Sequence, residues 1–232
     1  MLGDVPLSEV GAEHLLQFRR WWWDKVKAEG LTKNSANKDF AYVSSTLRRV
    51  NADLQLGLTL RFDQMAFTDT QKATRSTFSA EWIKEKILAP GALDGLNLEA
   101  RCIRLGMVNT GYRPSEAQGI LPHHIHLDGD VPYIEFKPEG RQLKTATSAR
   151  KIPLAGISLE AFRLCPQGVP RYRDKAGLSE TINKFLRENK LLQTVDHSLY
   201  GLRHSFEDRL LAQNVDERIR RDLMGHALDR QR

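Results

Sequence analysis

From Ala66 to Phe78 the chain reads AFTDTQKATRSTF, rich in Thr and Ser, with no apolar residue returning at helical or strand spacing. On both sides of it apolar residues do return at steps of three and four. A chain interrupted in this way is expected to fold as compact units joined by a linker rather than around one continuous core. The boundaries read as residues 1–66 for a helical unit, 67–78 for the linker and 79–232 for a second, larger unit.

In the first unit Leu15, Phe18, Trp22 and Val26 mark one face of a helix over residues 13–28, with Arg19, Arg20, Lys25 and Lys27 mostly off it. Trp21, Trp22 and Trp23 cannot all point one way on that helix, so at least one indole must reach a neighbouring element or the surface. Cap residues at Thr32 to Ser35 precede a second helix through Phe40, Val43, Leu47 and Val50, ending near Gly57. In the second unit Leu96, Ala100, Ile103 and Met107 predict a helix stopping at Gly111, and Pro114 begins another. Residues 131–137, VPYIEFK, alternate as a strand, and Pro138-Glu139-Gly140 turns the chain into a second extended run. Three helices follow: one through Ile182 and Phe185 capped by Ser179, one through Leu202, Phe206 and Leu210, and one through Ile219 and Leu223 ending at Gly225. The expected fold class is mainly α with a small antiparallel β-sheet (α+β).

Composition narrows the function classes. With 232 residues, 41% hydrophobic and 28% charged, the chain is neither disordered nor collagenous, and no stretch approaches the apolar length of a membrane span. Cys102 and Cys165 make neither a disulfide framework nor a zinc site, and the start has no secretory pattern, so a reduced, cytoplasmic protein is expected. The net charge of +6 points toward a phosphate-bearing partner, and equally fits an ordinary basic protein.

Four short segments can carry chemistry. In Arg113-Pro114-Ser115-Glu116, proline at the first helical position sets Arg113 at the cap, where Glu116 one turn on can hold it. Residues 141–151, RQLKTATSARK, are basic without an acid and read as a hairpin able to lie along DNA phosphates; its Lys144 is a plausible general acid. In Tyr200-Gly201-Leu202-Arg203-His204 the apolar positions leave Tyr200 and Arg203 together and off the apolar face, with His204 either core or site. In Leu223-Met224-Gly225-His226 a histidine sits at a helix end. Each alone is more often structural than catalytic. His123, His124 and His126 lie together without cysteine partners and with few nearby acids, so no metal is expected there, and no phosphate-cradling GxxxxGK[ST] loop implies a nucleotide.

The order of RPSE, then an extended KT before a basic strand ending in Ile152-Pro153-Leu154, then YGLRH, then LMGH resembles the catalytic signature of the tyrosine recombinases, or phage integrases. The resemblance covers nearly the whole chain and implies a helical core-binding domain followed by an integrase-type catalytic domain. It implies that Arg113 and Arg203 hold the non-bridging oxygens of a scissile phosphate, Lys144 protonates the leaving 5' oxygen, His226 contacts the same phosphate and Glu116 supports the first arginine. Tyr200 stands where the commonest residue is His, and its role is read as orienting the phosphate or Arg203. The implied activity is site-specific DNA recombination, integrating or excising a mobile element by metal-independent transesterification through a 3'-phosphotyrosyl intermediate, with no cofactor. Duplex DNA is the implied partner. Two basic units on a flexible linker suggest a clamp on it, with Lys33, Lys38, Arg48, Arg141 and Thr145 as further DNA contacts.

The sequence departs from the family pattern at the nucleophile. Its five tyrosines, Tyr42, Tyr112, Tyr133, Tyr172 and Tyr200, all precede His226. The expectation is a truncated, cleavage-deficient piece of a longer recombinase, mainly monomeric as given and a homo-tetramer on DNA at full length. Three alternatives stand beside it: a non-cleaving DNA-binding accessory or regulatory protein, Tyr200 itself as nucleophile, or a type IB topoisomerase, which shares the chemistry although the two-part layout resembles an integrase more.

Overall fold

The computed structural model describes residues 4–62, 65–68, 76–140, 145–173 and 175–227. It divides into two compact units, Met1–Ala73 and Thr74–Arg232.

The first unit is built on α1 (Ala12–Glu29) and α2 (Lys33–Asp53). Gly30, in the left-handed conformation, ends α1, and the Thr32 side chain caps α2 by accepting the Ser35 N–H. Leu15, Trp22, Ala36 and Phe40 form the core together with Phe62, Met65 and Phe67. The tryptophan triplet divides as helix geometry requires: Trp22 is buried, while Trp21 and Trp23 are 44% and 37% exposed. Lys25 and Lys27 stand over the rings of Trp21 and Trp23 at 5.0 and 4.8 Å. Phe67, read from sequence as linker, is a core residue whose backbone exchanges two hydrogen bonds with the Asn37 side chain, at 2.7 and 3.0 Å.

The second unit begins with Phe78, also read as linker but only 3% exposed, its N–H donating to Ser205 Oγ. Helix α3 (Ala80–Trp82) runs into a π-helical turn, Ile83–Ile87, which buries both of its isoleucines. At the centre lies α4 (Leu98–Val108), capped by the Asn97 side chain and buried at every position from Cys102 to Val108. The short α5 (Pro114–Ala117) follows a reversal at Gly111. The sheet is antiparallel in the order β1 (Ile125–His126), β2 (Tyr133–Phe136), β3 (Arg150–Pro153), pairing Ile134 with Ile152 and Phe136 with Arg150. Ile134 and Phe136 face the core, as their alternation predicts. Four helices complete the unit: α6 (Gly156–Leu164), α7 (Leu178–Glu188), α8 (Gly201–Ala212) and α9 (Glu217–Met224).

The α+β class is as expected, and several details differ. Helix α6 and strand β1 carry too little periodic pattern to be read from sequence. Yet α6 packs closely on α4, where a Cβ at Gly106 would come within 2.2 Å of the Tyr112 hydroxyl and 3.1 Å of Phe162. Ser179 is not the cap of α7: that place belongs to Gly177 at φ 100°, and Ser179 lies within the helix. Of the basic run, residues 141–144 lie outside the described residues. Ala146–Ser148 is a 3-10 turn, and the extended pairing begins at Arg150. No helix among the described residues is long and apolar enough to cross a membrane.

One core residue works against the fold. Arg104 of α4 is fully buried, its guanidinium lies 5.6 Å from the centre of the Phe78 ring, and its three nitrogens have no hydrogen-bond partner among the described residues. Burial pulls its pKa down to about 9. The charged form therefore penalises the native state below that pH, and the penalty fades as pH rises past it. Arg104→Met is expected to stabilise the protein by about 1–4 kcal/mol in denaturant unfolding at neutral pH. The advantage should shrink when unfolding is repeated above about pH 9. A destabilised variant at neutral pH would show that Arg104 is paired in solution.

Candidate functional site

Pro114 at the first position of α5 places Arg113 at its N-cap, and Glu116 folds back onto it. Glu116 Oε2 accepts the Arg113 backbone N–H and Oε1 accepts Arg113 Nη1, both at 2.7 Å. Arg150 of β3 closes the other side, donating from Nη1 and Nη2 to the two carboxylate oxygens at 2.9 Å each. The three side chains are buried, at 10%, 5% and 6% exposure. Burial pushes the Glu116 carboxyl up, but the hydrogen bonds and charges of Arg150 and Arg113 outweigh it and hold the group below the usual carboxylate range. One carboxylate against two guanidinium groups leaves an excess of positive charge.

Arg203, in the first turn of α8, is held by main-chain carbonyls. Nη1 donates to the Gly111 carbonyl at 2.7 Å, and Nη2 donates to the Met224 carbonyl. Both carbonyls come from chain reversals at left-handed glycines, Gly111 at φ 60° and Gly225 at φ 61°, where a side chain would be strained. At Gly111 a Cβ would also strike Phe206 at 2.5 Å. Burial and then the Arg113 charge draw the Arg203 pKa down to about 10, so it stays cationic at neutral pH. Its position corrects the sequence expectation. Arg203 is not off the packed face but 1% exposed, among Leu202, Ser205 and Phe206, because α8 buries several sides and its charge is met by backbone groups that leave no residue-type pattern.

His226, just past Gly225, accepts a hydrogen bond from Arg203 Nη2 on its Nε2 at 3.1 Å. The neutral ring then carries its proton on Nδ1, which lies 3.8 Å from Glu207 Oε1. Burial and the neighbouring Arg203 lower its pKa, Glu207 opposes them, and Arg113 and Arg221 add to the lowering. Arg113 Nη2 reaches the Gly225 carbonyl at 3.5 Å, while its buried Nε has no hydrogen-bond partner among the described residues. Arg113, Glu116, Arg203 and His226 thus form one cluster, with cationic donors in excess and one buried N–H without a partner among the described residues, which suits an oxyanion.

Tyr200 is the half-buried N-cap of α8, in electrostatic contact with Arg203, and its ring centre is 5.4 Å from that of His204. Thr145 is exposed, its hydroxyl 2.9 Å from Ser148 Oγ. Lys144 and Arg141 fall outside the described residues. Lys33, Lys38 and Arg48 lie on α2 in the first unit, the latter two exposed. Arg150, read as part of a DNA-facing hairpin, instead turns inward.

The histidine group gains an acid that sequence spacing hides. Glu139 Oε2 lies 2.9 Å from Nε2 of both His123 and His124, and the three residues bring potential ligand atoms within 4.8 Å of one another. His124 Nδ1, however, accepts the Leu121 N–H at 3.2 Å, so the neutral ring carries its proton on Nε2 and donates it to Glu139. Metal ligation at Nε2 would turn an Nδ1–H against that backbone N–H, so the donor set fits a hydrogen-bonded cluster better than an ion.

No protein-family model matches the sequence, and no curated protein matches it. Solved structures do. The Tn1549 transposon integrase in complex with transposon right end DNA aligns over 98% of this chain and 81% of its own, with TM-score 0.68 and 16% identity. A lambda integrase tetramer bound to a Holliday junction aligns over 100% and 68%, with TM-score 0.67 and 21% identity. The XerH site-specific recombinase bound to palindromic difH substrate aligns over 70% and 50%, with TM-score 0.52 and 16% identity. The chain has the tyrosine-recombinase fold. Within that fold, the arginine and histidine cluster joins the N-cap of α5, the first turn of α8 and the C-terminal end of α9.

The tautomer of His226 is open to direct measurement. His226 is expected to titrate below the ordinary histidine value, and Glu207→Gln, which removes the charge opposing that shift, should move the titration further down. Imidazole NMR titration reads both. An unchanged His226 titration in the variant would show that Glu207 does not face the ring in solution.

Proposed function

We propose that the second unit engages a DNA phosphodiester between Arg113, Arg203 and His226, and that the protein serves site-specific DNA recombination by metal-independent transesterification through a 3'-phosphotyrosyl link. The observation that carries this reading is the buried, unpartnered Nε of Arg113 beside a second cationic guanidinium and a neutral imidazole. Phosphoryl transfer concentrates negative charge on the non-bridging oxygens, and fixed N–H donors in a water-poor site stabilise it most. Lys144 is the proposed donor to the leaving 5' oxygen and Glu116 the support of Arg113. The structural neighbours held on DNA, one of them as a tetramer on a Holliday junction, supply the analogy for DNA as partner and for a tetramer on it; a monomer off DNA and a cytoplasmic location are part of the same proposal. Lys33, Lys38, Arg48, Arg141 and Thr145 are proposed to bind phosphates outside the site.

A specific observation favours a second reading, DNA binding without cleavage. Tyr112 is fully buried and donates to the Ile103 carbonyl, Tyr172 is buried against Asn97, Tyr133 stacks on His126, and Tyr42 lies on α2. Among the described tyrosines of the second unit, Tyr200 is the one whose charge acts on Arg203.

Denaturing gels of the protein incubated with duplex DNA separate these readings. An adduct abolished by Tyr200→Phe assigns Tyr200 as nucleophile. An adduct seen only when the polypeptide is extended through the codons that follow Arg232 assigns a later tyrosine. Binding with no adduct from either form supports the non-cleaving protein. In each case log affinity should fall with log salt with a slope of about -5 if on the order of six phosphates are contacted, and a flat dependence would remove DNA as the partner. Arg203→Lys, which keeps the charge but loses the planar fork, should weaken phosphate engagement while DNA binding retains most of its salt dependence.

A further inference from the structure

Arg150 makes contacts that neither the hairpin pattern nor the proposed chemistry accounts for. Its guanidinium spans Glu116 bidentately, its Nε donates to the Leu223 carbonyl at 2.8 Å, and its Nη1 also donates to the Ser148 carbonyl at 2.8 Å. The Phe136 ring covers it at 4.9 Å, and its side chain is 6% exposed. Three separate segments therefore meet on one side chain: the first turn of α5 through Glu116, the 3-10 turn before β3 through Ser148, and the last turn of α9 through Leu223. Gly225 must lack a side chain for this to hold, since a Cβ there would lie 2.8 Å from Arg150 Nη1.

We propose that Arg150 is a positioning residue for the phosphate site, fixing Glu116, and through it Arg113, in register with the segment that carries His226. The inference rests on the proposed phosphate-binding reading and deepens it. The argument is one of charge as well as geometry. With Arg113 alone, Glu116 would make a neutral ion pair, and Arg113 would offer an incoming anion only a dipole. A second guanidinium on the same carboxylate offsets that neutralisation, so Arg113 stays bound to Glu116 and still presents net positive charge. Lysine cannot reproduce this, because a single ammonium cannot satisfy both carboxylate oxygens and the Leu223 and Ser148 carbonyls in one plane.

The test uses inorganic phosphate and two NMR probes, the Arg113 Nε–H and the His226 ring. In the unaltered protein phosphate should shift both saturably. In Arg150→Lys the apparent phosphate affinity should fall about tenfold, with the Arg113 and His226 responses no longer parallel. Where Arg150→Lys does not fold, Arg150→Gln, which leaves Glu116 paired with Arg113 alone, should show the same loss. Equal phosphate affinity in the unaltered protein and the variant, even with a lowered Tm, would make Arg150 merely structural and overturn the proposal. No response of Arg113 or His226 in the unaltered protein would overturn the phosphate-site reading itself, and this inference with it.

Discussion

The second unit depends on one buried carboxylate. Glu116 accepts four N–H groups, one from the Arg113 backbone, one from the Arg113 guanidinium and two from Arg150, so both oxygens are fully engaged. A carboxylate in this position would cost several kcal/mol unpaired, and a pair of buried guanidinium groups would cost more. Each tolerates burial only because the other is present. The consequence is geometric: the N-terminus of α5, the first pair of β3 and the end of α9 are pinned around one point, and Arg203 and His226 are placed relative to Arg113 by way of it.

Much of the fold was legible because its helices write their packing into the sequence. Leu15, Phe18, Trp22 and Val26 on α1, and Ile134 with Phe136 on β2, follow the periods that burial on one face requires. What was not legible has a physical reason in each case. Helix α6 starts on Gly156 in a left-handed conformation and meets α4 at Gly106; its buried face carries Ser158, Ala161 and Phe162, where a serine and an alanine weaken the apolar stripe that would have announced it. Phe67 and Phe78 sit in a Thr- and Ser-rich run, where isolated aromatic residues carry no period although each enters a core.

For the site, residue identity was the strong signal and placement the weak one. Arg113 and Glu116 were readable together because proline and a residue three positions on define a helix start. Arg150 was not, since nothing in a basic hairpin says which of its charges turns inward; the pairing of Phe136 with Arg150 across the sheet decides it. Glu139 approaches His123 and His124 only once β2 has brought its end back beside them.

The way Arg203 is held has a consequence for how such a site responds to its surroundings. Two of its partners are the Gly111 and Met224 carbonyls, dipoles fixed by the backbone rather than mobile counter-charges. Mobile ions screen the long-range attraction that draws a polyanion toward a basic surface, but they scarcely weaken a short bond to a buried carbonyl. Encounter and geometry are thereby separated: rising ionic strength would slow the arrival of a phosphate while the guanidinium that receives it keeps its orientation.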